Sequence, residues 1–242
     1  MYSYFDLGSG LPAGARINTD KGLISIQDIK VGDLVLSKPK TGEGEFCYKP
    51  IVQIFSYENK EIWELTYFEI KANTDLSKLN KSKLLQLSRK GKMISNMAAP
   101  NQTFWVKDVG WTRLDELKYG QVIETSDQEI IVLVFMVNPL RKTSMQNVAA
   151  SYHPSNIFNA DKKGFDIDNV EYFTFIEYGL EGPIRCIGDD NVPSPICVNG
   201  ESVHVHSEIF RFKTYSVEIE DYHTYVITKR GLWLHDTNTA YK

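Results

Sequence analysis

The chain has 242 residues, 42% hydrophobic and 24% charged, with a formal charge of −4. That apolar share supplies a core and argues against global disorder, and the acidic balance argues against nucleic-acid binding as the main business. No run approaches the ~18 apolar residues of a membrane span, and the start, MYSYFDLGSG, lacks the basic and apolar segments of a signal peptide, so synthesis in the cytoplasm is expected.

In chain order, residues 1–9 read as a lead-in rich in Tyr and Ser. Dense β signals follow. Ile17 runs into a turn at Asp20, Lys21 and Gly22, then Ile24 and Ile26 alternate with other residues. Ile29, Val31, Gly32 and Asp33 mark a tight corner ahead of Leu34, Val35 and Leu36. Residues 38–45 form a polar, Gly-rich loop, and 48–57 and 61–70 read as strands. The Lys-rich stretch 71–92 predicts a loop with a short amphipathic helix.

Residues 115–122 (DELKYGQV) repeat the pattern of 27–34 (QDIKVGDL): polar pair, apolar residue, Lys, apolar or aromatic residue, Gly, polar residue, new strand. Such a repeat predicts a pseudo-symmetric β fold. Residues 140–212 are less regular, with strands expected at 170–178 and 202–212, and read as an insertion. The last stretch, YSVEIEDYHTYVITKRGLWLHDT, alternates through Tyr215, Val217 and Ile219, turns at Glu220 and Asp221, and closes as a hairpin through Lys229, Arg230 and Gly231. His223 lies near its start and His235 with Asp236 at its end. Trp105, Trp111 and Trp233, each beside apolar strand residues, are expected in the core.

Three of these stretches, in order, resemble the hedgehog/intein (Hint) family of self-processing domains. GLPAGARINTDKGLISIQDIKVGDLVLS looks like the N-terminal block with its "I-x-x-G-D-x-V" corner. APNQTFWVKDVGWTRLDELKYGQVI resembles the block that carries a T-x-x-H ahead of an aromatic strand. The terminal stretch is similar to the blocks containing "V-E-D-x-H-T-Y" and a final "H-N". The resemblance implies an all-β Hint fold with pseudo-two-fold symmetry over residues 1–242, a core at about 10–139 and 213–237, and an insertion at 140–212. It also implies chain ends that meet.

The family's chemistry is an acyl shift onto a Cys or Ser at the first position, assisted by the block histidine. A terminal Asn then cyclises with help from the His before it. Here the nucleophile position is Gly10, and Ser9 is one residue out of register, about 3.3 Å along a strand. The T-x-x-H reads Ala99, Pro100, Asn101, Gln102, and a glutamine is no proton donor at neutral pH. The terminal Asn is Asp236, a poorer internal nucleophile, followed by Thr237, while His223 and His235 remain. No cysteine follows Cys197 to serve as a substitute.

The expectation is therefore a catalytically degenerate domain, a structural or protein-interaction module. By family resemblance it would sit in a bacterial secreted toxin or similar modular system, next to a protein partner or fused cargo and exported by a specialised route. The alternative is an intein-like domain with residual C-terminal cleavage between Asp236 and Thr237.

Other features carry less. His204 and His206, two apart on an expected strand, have metal-ligand spacing but no third ligand in view, and a solvated strand is the plainer reading. Asp189, Asp190 and Asn191 read as a solvated turn. Cys47, Cys186 and Cys197 read as thiols in a reducing compartment, with a Cys186–Cys197 bridge as the alternative. No phosphate loop, G-x-S-x-G elbow or dinucleotide fingerprint occurs, so no cofactor is expected.

Overall fold

The computed structural model describes residues 9–90, 92–153, 172–179, 182–187, 196–198 and 201–236. The first half supplies β1 (Leu11–Pro12), β2 (Arg16–Thr19), β3 (Gly22–Ser25), β4 (Leu34–Ser37) and β5 (Cys47–Glu61). Next come β6 (Trp63–Lys71), the helix α1 (Lys81–Arg89) and β7 (Met93–Ala98). The second half continues with β8 (Thr103–Val106), β9 (Gly110–Arg113), β10 (Val122–Ile123) and β11 (Ile130–Pro139). Seven strands follow: β12 (Arg141–Thr143), β13 (Val148–His153), β14 (Tyr172–Gly179), β15 (Gly182–Ile187), β16 (Ile196–Val198), β17 (Glu201–Val203) and β18 (Val205–Ile209). The chain then closes with β19 (Arg211–Ile219), β20 (Thr224–Ile227) and β21 (Leu232–His235).

Fourteen strands make one sheet, ordered β1-β19-β5-β4-β2-β20-β21-β8-β10-β11-β6-β7, with β3 on β2 and β9 on β8. The order is a palindrome about the β20–β21 hairpin. Each strand of the first half has a mate in the second: β2 with β8, β4 with β10, β5 with β11, β19 with β6.

The repeated sequence corners are the hinges of this symmetry. Ile26 N–H donates to Ala15 O at 2.8 Å, and Leu114 N–H donates to Gln102 O at 2.8 Å. At the next step Gly32 N–H reaches Ile51 O at 2.8 Å and Gly120 N–H reaches Val134 O at 2.9 Å. Both glycines have positive φ, +90° and +86°, a backbone shape that a side chain resists. Between the polar groups, Ile26, Ile29, Leu114 and Leu117 drop into one core with Ile17, Val35, Phe104, Val132 and Leu234. The corner residues that point the other way, Val31 and Tyr119, are exposed, 62% and 65%.

The helix falls within the Lys-rich stretch as expected. Its Leu84 is buried with Phe68, Leu133 and Phe135, while Lys83 is exposed to water.

Strands β12 to β18 leave the main sheet. They form a second sheet, β15-β14-β13-β12-β18, and a separate pair, β16–β17. Ile62, Leu140, Ala149, Ile176, Tyr178 and Phe210 cluster where it meets the body. There Ser151 donates to the buried carboxylate of Glu64. The strand expected at 202–212 is instead broken in three. His204 turns aside to exchange bonds with Ser144, and Phe210 N–H leaves for Leu140 O. No helix among the described residues is long and apolar enough to cross a membrane.

Candidate functional site

The turn at Ala99–Gln102 brings the two ends of the core together. Ala99 N–H donates to Gly10 O at 2.8 Å, and Gln102 N–H closes the turn on Ala99 O at 3.0 Å. The Gln102 side chain then donates through Nε2 to His235 O at 2.9 Å. One turn thus bonds Gly10 on one flank and His235 on the other. Gln102 is fully buried, and Tyr225 Oη stands 3.5 Å from its Oε1. Its amide is spent on holding the hairpin, a structural use with no proton to give.

Gly10 is buried and lies at φ +152°. A β-carbon there would sit 2.5 Å from the Tyr215 carbonyl oxygen and 3.2 Å from Thr214 Oγ1. The position therefore lacks a nucleophile and also lacks room for one. Ser9 is fully buried, and its Oγ has no hydrogen-bond partner among the described residues.

At the other end, His223 and Asp236 meet. The turn after β19 places His223 at φ +55°, and Asp236 N–H donates to His223 O at 2.8 Å. Asp236 is fully buried, and its Oδ2 accepts from Ile219 N–H at 3.0 Å. That oxygen lies 3.6 Å from His223 Nδ1, an ion-pair distance beyond hydrogen-bond reach. The nearby Tyr225 phenol is pushed well above its usual range, by burial first and by the Asp236 charge second.

His235 has a different environment. Its ring stands 5.2 Å from that of Trp111, edge to face. Burial depresses its pKa to about 4, opposed by a hydrogen bond with the Asp236 backbone and reinforced by the charges of Lys40 and His223. At neutral pH the imidazole is therefore uncharged and already bonded to the residue after it.

Trp233 is buried as expected, but Trp105 and Trp111 are only half-buried. The three pack together, edge to face or tilted, at 4.8 to 5.1 Å, a wall that meets His235 through Trp111. Residues 38–46 cover this wall, and no pattern in the sequence marks them for that role.

The remaining candidates stay apart from this site. His204 and His206 are exposed, and His204 falls between β17 and β18. No cluster of three metal-ligating side chains occurs among the described residues. Thr237 and the turn 189–191 lie outside the described residues, as do the side chains of Cys186 and Cys197; Cys47 is a free thiol.

No family model and no curated protein sequence matches the chain. Solved structures do. A bacterial intein-like domain from Clostridium thermocellum is 16% identical, with 93% of this chain and 97% of that one covered and a TM-score of 0.50. A DnaB intein from Synechocystis sp. PCC 6803 is 11% identical, covering 95% and 99% with a TM-score of 0.44. The gp41-1 intein is 12% identical, covering 94% and 98% with a TM-score of 0.45. The palindromic all-β sheet and its likeness to the Clostridium domain give this chain the hedgehog/intein (Hint) fold.

Proposed function

We propose that the chain is a Hint domain that has lost N-terminal self-processing and serves as a structural or protein-interaction module. The observation that carries this reading is Gly10, where a β-carbon would press to 2.5 Å on the Tyr215 carbonyl oxygen. An acyl shift needs a hydroxyl or thiol at that position. Gln102, in the place of the block histidine, is bonded to the hairpin and supplies no acid. The setting we assign is a bacterial secreted, modular protein in which the domain adjoins a cargo or toxin module, as the family resemblance implies.

A second reading, slow cleavage after Asp236, is favoured by one observation. The His235 ring is hydrogen-bonded to the Asp236 backbone, beside the junction where that cleavage would occur. Intact mass of the purified chain decides between them. The module reading expects an unchanged mass over days at neutral pH, with and without added thiol. Loss of the segment after Asp236 within hours overturns it. Asp236→Asn is expected to start that release, because the amide is the better internal nucleophile and His235 is in place.

A further inference from the structure

We propose that residues 38–46 are a strap that closes the His235–Asp236 end of the domain, and that lifting it is what opens the His235 imidazole to solvent. The loop joins β4 to β5 in the first half but lies on the tryptophans of the second. Its mate between β10 and β11 does not cross over. That shorter loop closes on the hairpin tip, with Ser126 N–H on Gly231 O at 2.8 Å.

The strap is tied firmly at both ends. Ser37 Oγ donates to Thr224 O at 2.7 Å, and Thr224 Oγ1 donates to Lys38 O at 2.5 Å. At the far end Phe46 meets Trp233 edge to face at 5.9 Å, and the Lys38 ammonium lies 5.5 and 5.4 Å from the Phe46 and Trp233 rings. The middle is held lightly. Its turn is its own, Gly42 N–H to Pro39 O at 3.0 Å. Among the described residues, one hydrogen bond ties 40–44 to the body: Trp111 Nε1–H to Lys40 O at 2.8 Å. Gly42 packs flat on Trp105, where a β-carbon would come within 2.6 Å of the ring.

Contact then passes inward without a gap. The strap bonds Trp111, and Trp111 faces His235 at 5.2 Å. The titratable groups that bear on the imidazole are Lys40 on the strap and His223 on the turn, with Asp236 next in the chain. Closed, the strap holds Trp111 against the half-buried imidazole and sets a cation near the ring, and both disfavour protonation. Open, it removes both effects at once. Firm ends and a lightly held middle are the construction of a hinged cover.

The test follows His235 in the full chain by its NMR titration and by its rate of carbethoxylation. Gly42→Val should force the strap off Trp105, and Trp111→Phe should keep a ring while deleting the bond to Lys40. Both are expected to raise the His235 midpoint by about one unit and speed modification roughly tenfold. Unchanged values in both folded variants, with native Trp233 and Leu234 signals, overturn the proposal. If Gly42→Val does not fold, wild-type hydrogen exchange and Trp111→Phe decide. The Trp111 indole proton should exchange on the order of a hundredfold faster than the Val226 amide, and equal rates would sink the idea. None of these readouts involves peptide cleavage, so their outcome is independent of the proposed loss of processing.

Discussion

Two turns occupy equivalent places on either side of the central hairpin. Pro12–Ala15 closes through Ala15 N–H to Pro12 O at 3.3 Å, and Ala99–Gln102 closes through Gln102 N–H to Ala99 O at 3.0 Å. Beyond the backbone they part. On the Gln102 side the hairpin end carries His235 and Asp236, with His223 at 3.6 Å from the buried carboxylate. On the other side the hairpin tip carries Arg230, whose Nε is 2.5 Å from Glu69 Oε1, with Lys92 at 3.6 Å from Oε2. One flank is clamped by a guanidinium that stays charged at any ordinary pH. The opposite flank holds imidazoles and a strap. The two halves share a common frame, and the chemistry depends on which side chains each half places on it.

The sharpest way to break this comparison is at the two edges. Counting along the matched turns, Gly10 corresponds to Met97. Gly10→Cys puts a β-carbon against the backbone of Tyr215, which cannot yield as a flexible side chain would. The expected cost is about 3 kcal/mol or more, read by urea denaturation, and no cleavage should appear with it. Met97→Cys, at a half-buried position that already carries a side chain, should cost about 1 kcal/mol. Equal costs would mean that Gly10 is not sterically locked.

The clamps should differ next. Arg230→Met strands the Glu69 carboxylate, whose side chain is 2% exposed, leaving Lys92 as its ion-pair partner among the described residues. A loss of about 2 kcal/mol is expected, below the usual penalty for a broken buried pair because Arg230 is itself 30% exposed. His223→Ala should cost about 1 kcal/mol, since Asp236 keeps the Ile219 N–H. Thermal unfolding of both variants at pH 7 gives the order directly.

Much of this frame was legible in the sequence, because its signals are local. A Lys-x-Gly corner followed by a polar residue needs a positive-φ glycine and a side-chain acceptor, and both are written in the letters. The terminal hairpin was legible for the same reason. What the sequence hid depends on distant packing. Residues 38–45 read only as a polar, Gly-rich loop, and nothing local says that Gly42 rests on Trp105. Trp105 and Trp111 read as core from the apolar strand residues beside them, yet they build a half-buried wall. The interrupted strand at 202–212 was hidden too, since Ser144 and Leu140, its remote partners, take the bonds.

The titratable flank gives a pH test. His235 has a folded pKa near 4 against an ordinary 6.5, so between these values the unfolded chain takes up a proton that the folded chain refuses. Its contribution to stability is complete above pH 6.5 and is lost as pH falls toward 4, an effect of about 3 kcal/mol at most. His235→Gln should flatten stability across that window while leaving the Arg230 flank unchanged. A wild-type slope that survives this substitution would place the proton elsewhere.

The finest comparison lies at the two corners, where the same backbone group is bonded by different chemistry. Lys30 N–H donates to Asp33 Oδ2 at 2.8 Å, and Lys118 N–H donates to Gln121 Oε1 at 2.7 Å. The two bonds have the same geometry, so Asp33→Ala and Gln121→Ala should each cost about 1 kcal/mol at pH 7. They should separate in acid. The hydrogen bond from Lys30, helped by the ion pair with Lys21 at 3.2 Å, holds the Asp33 carboxyl below its ordinary 3.8. The folded state therefore resists protonation of Asp33, and its contribution is present above pH 3.8 and lost as pH falls below. Gln121 carries no such dependence. The cost of Asp33→Ala should shrink toward pH 3 while that of Gln121→Ala holds, measured in background variants stable enough to fold there. If the two costs instead fall together, the charge on Asp33 adds nothing beyond the hydrogen bond that both corners share.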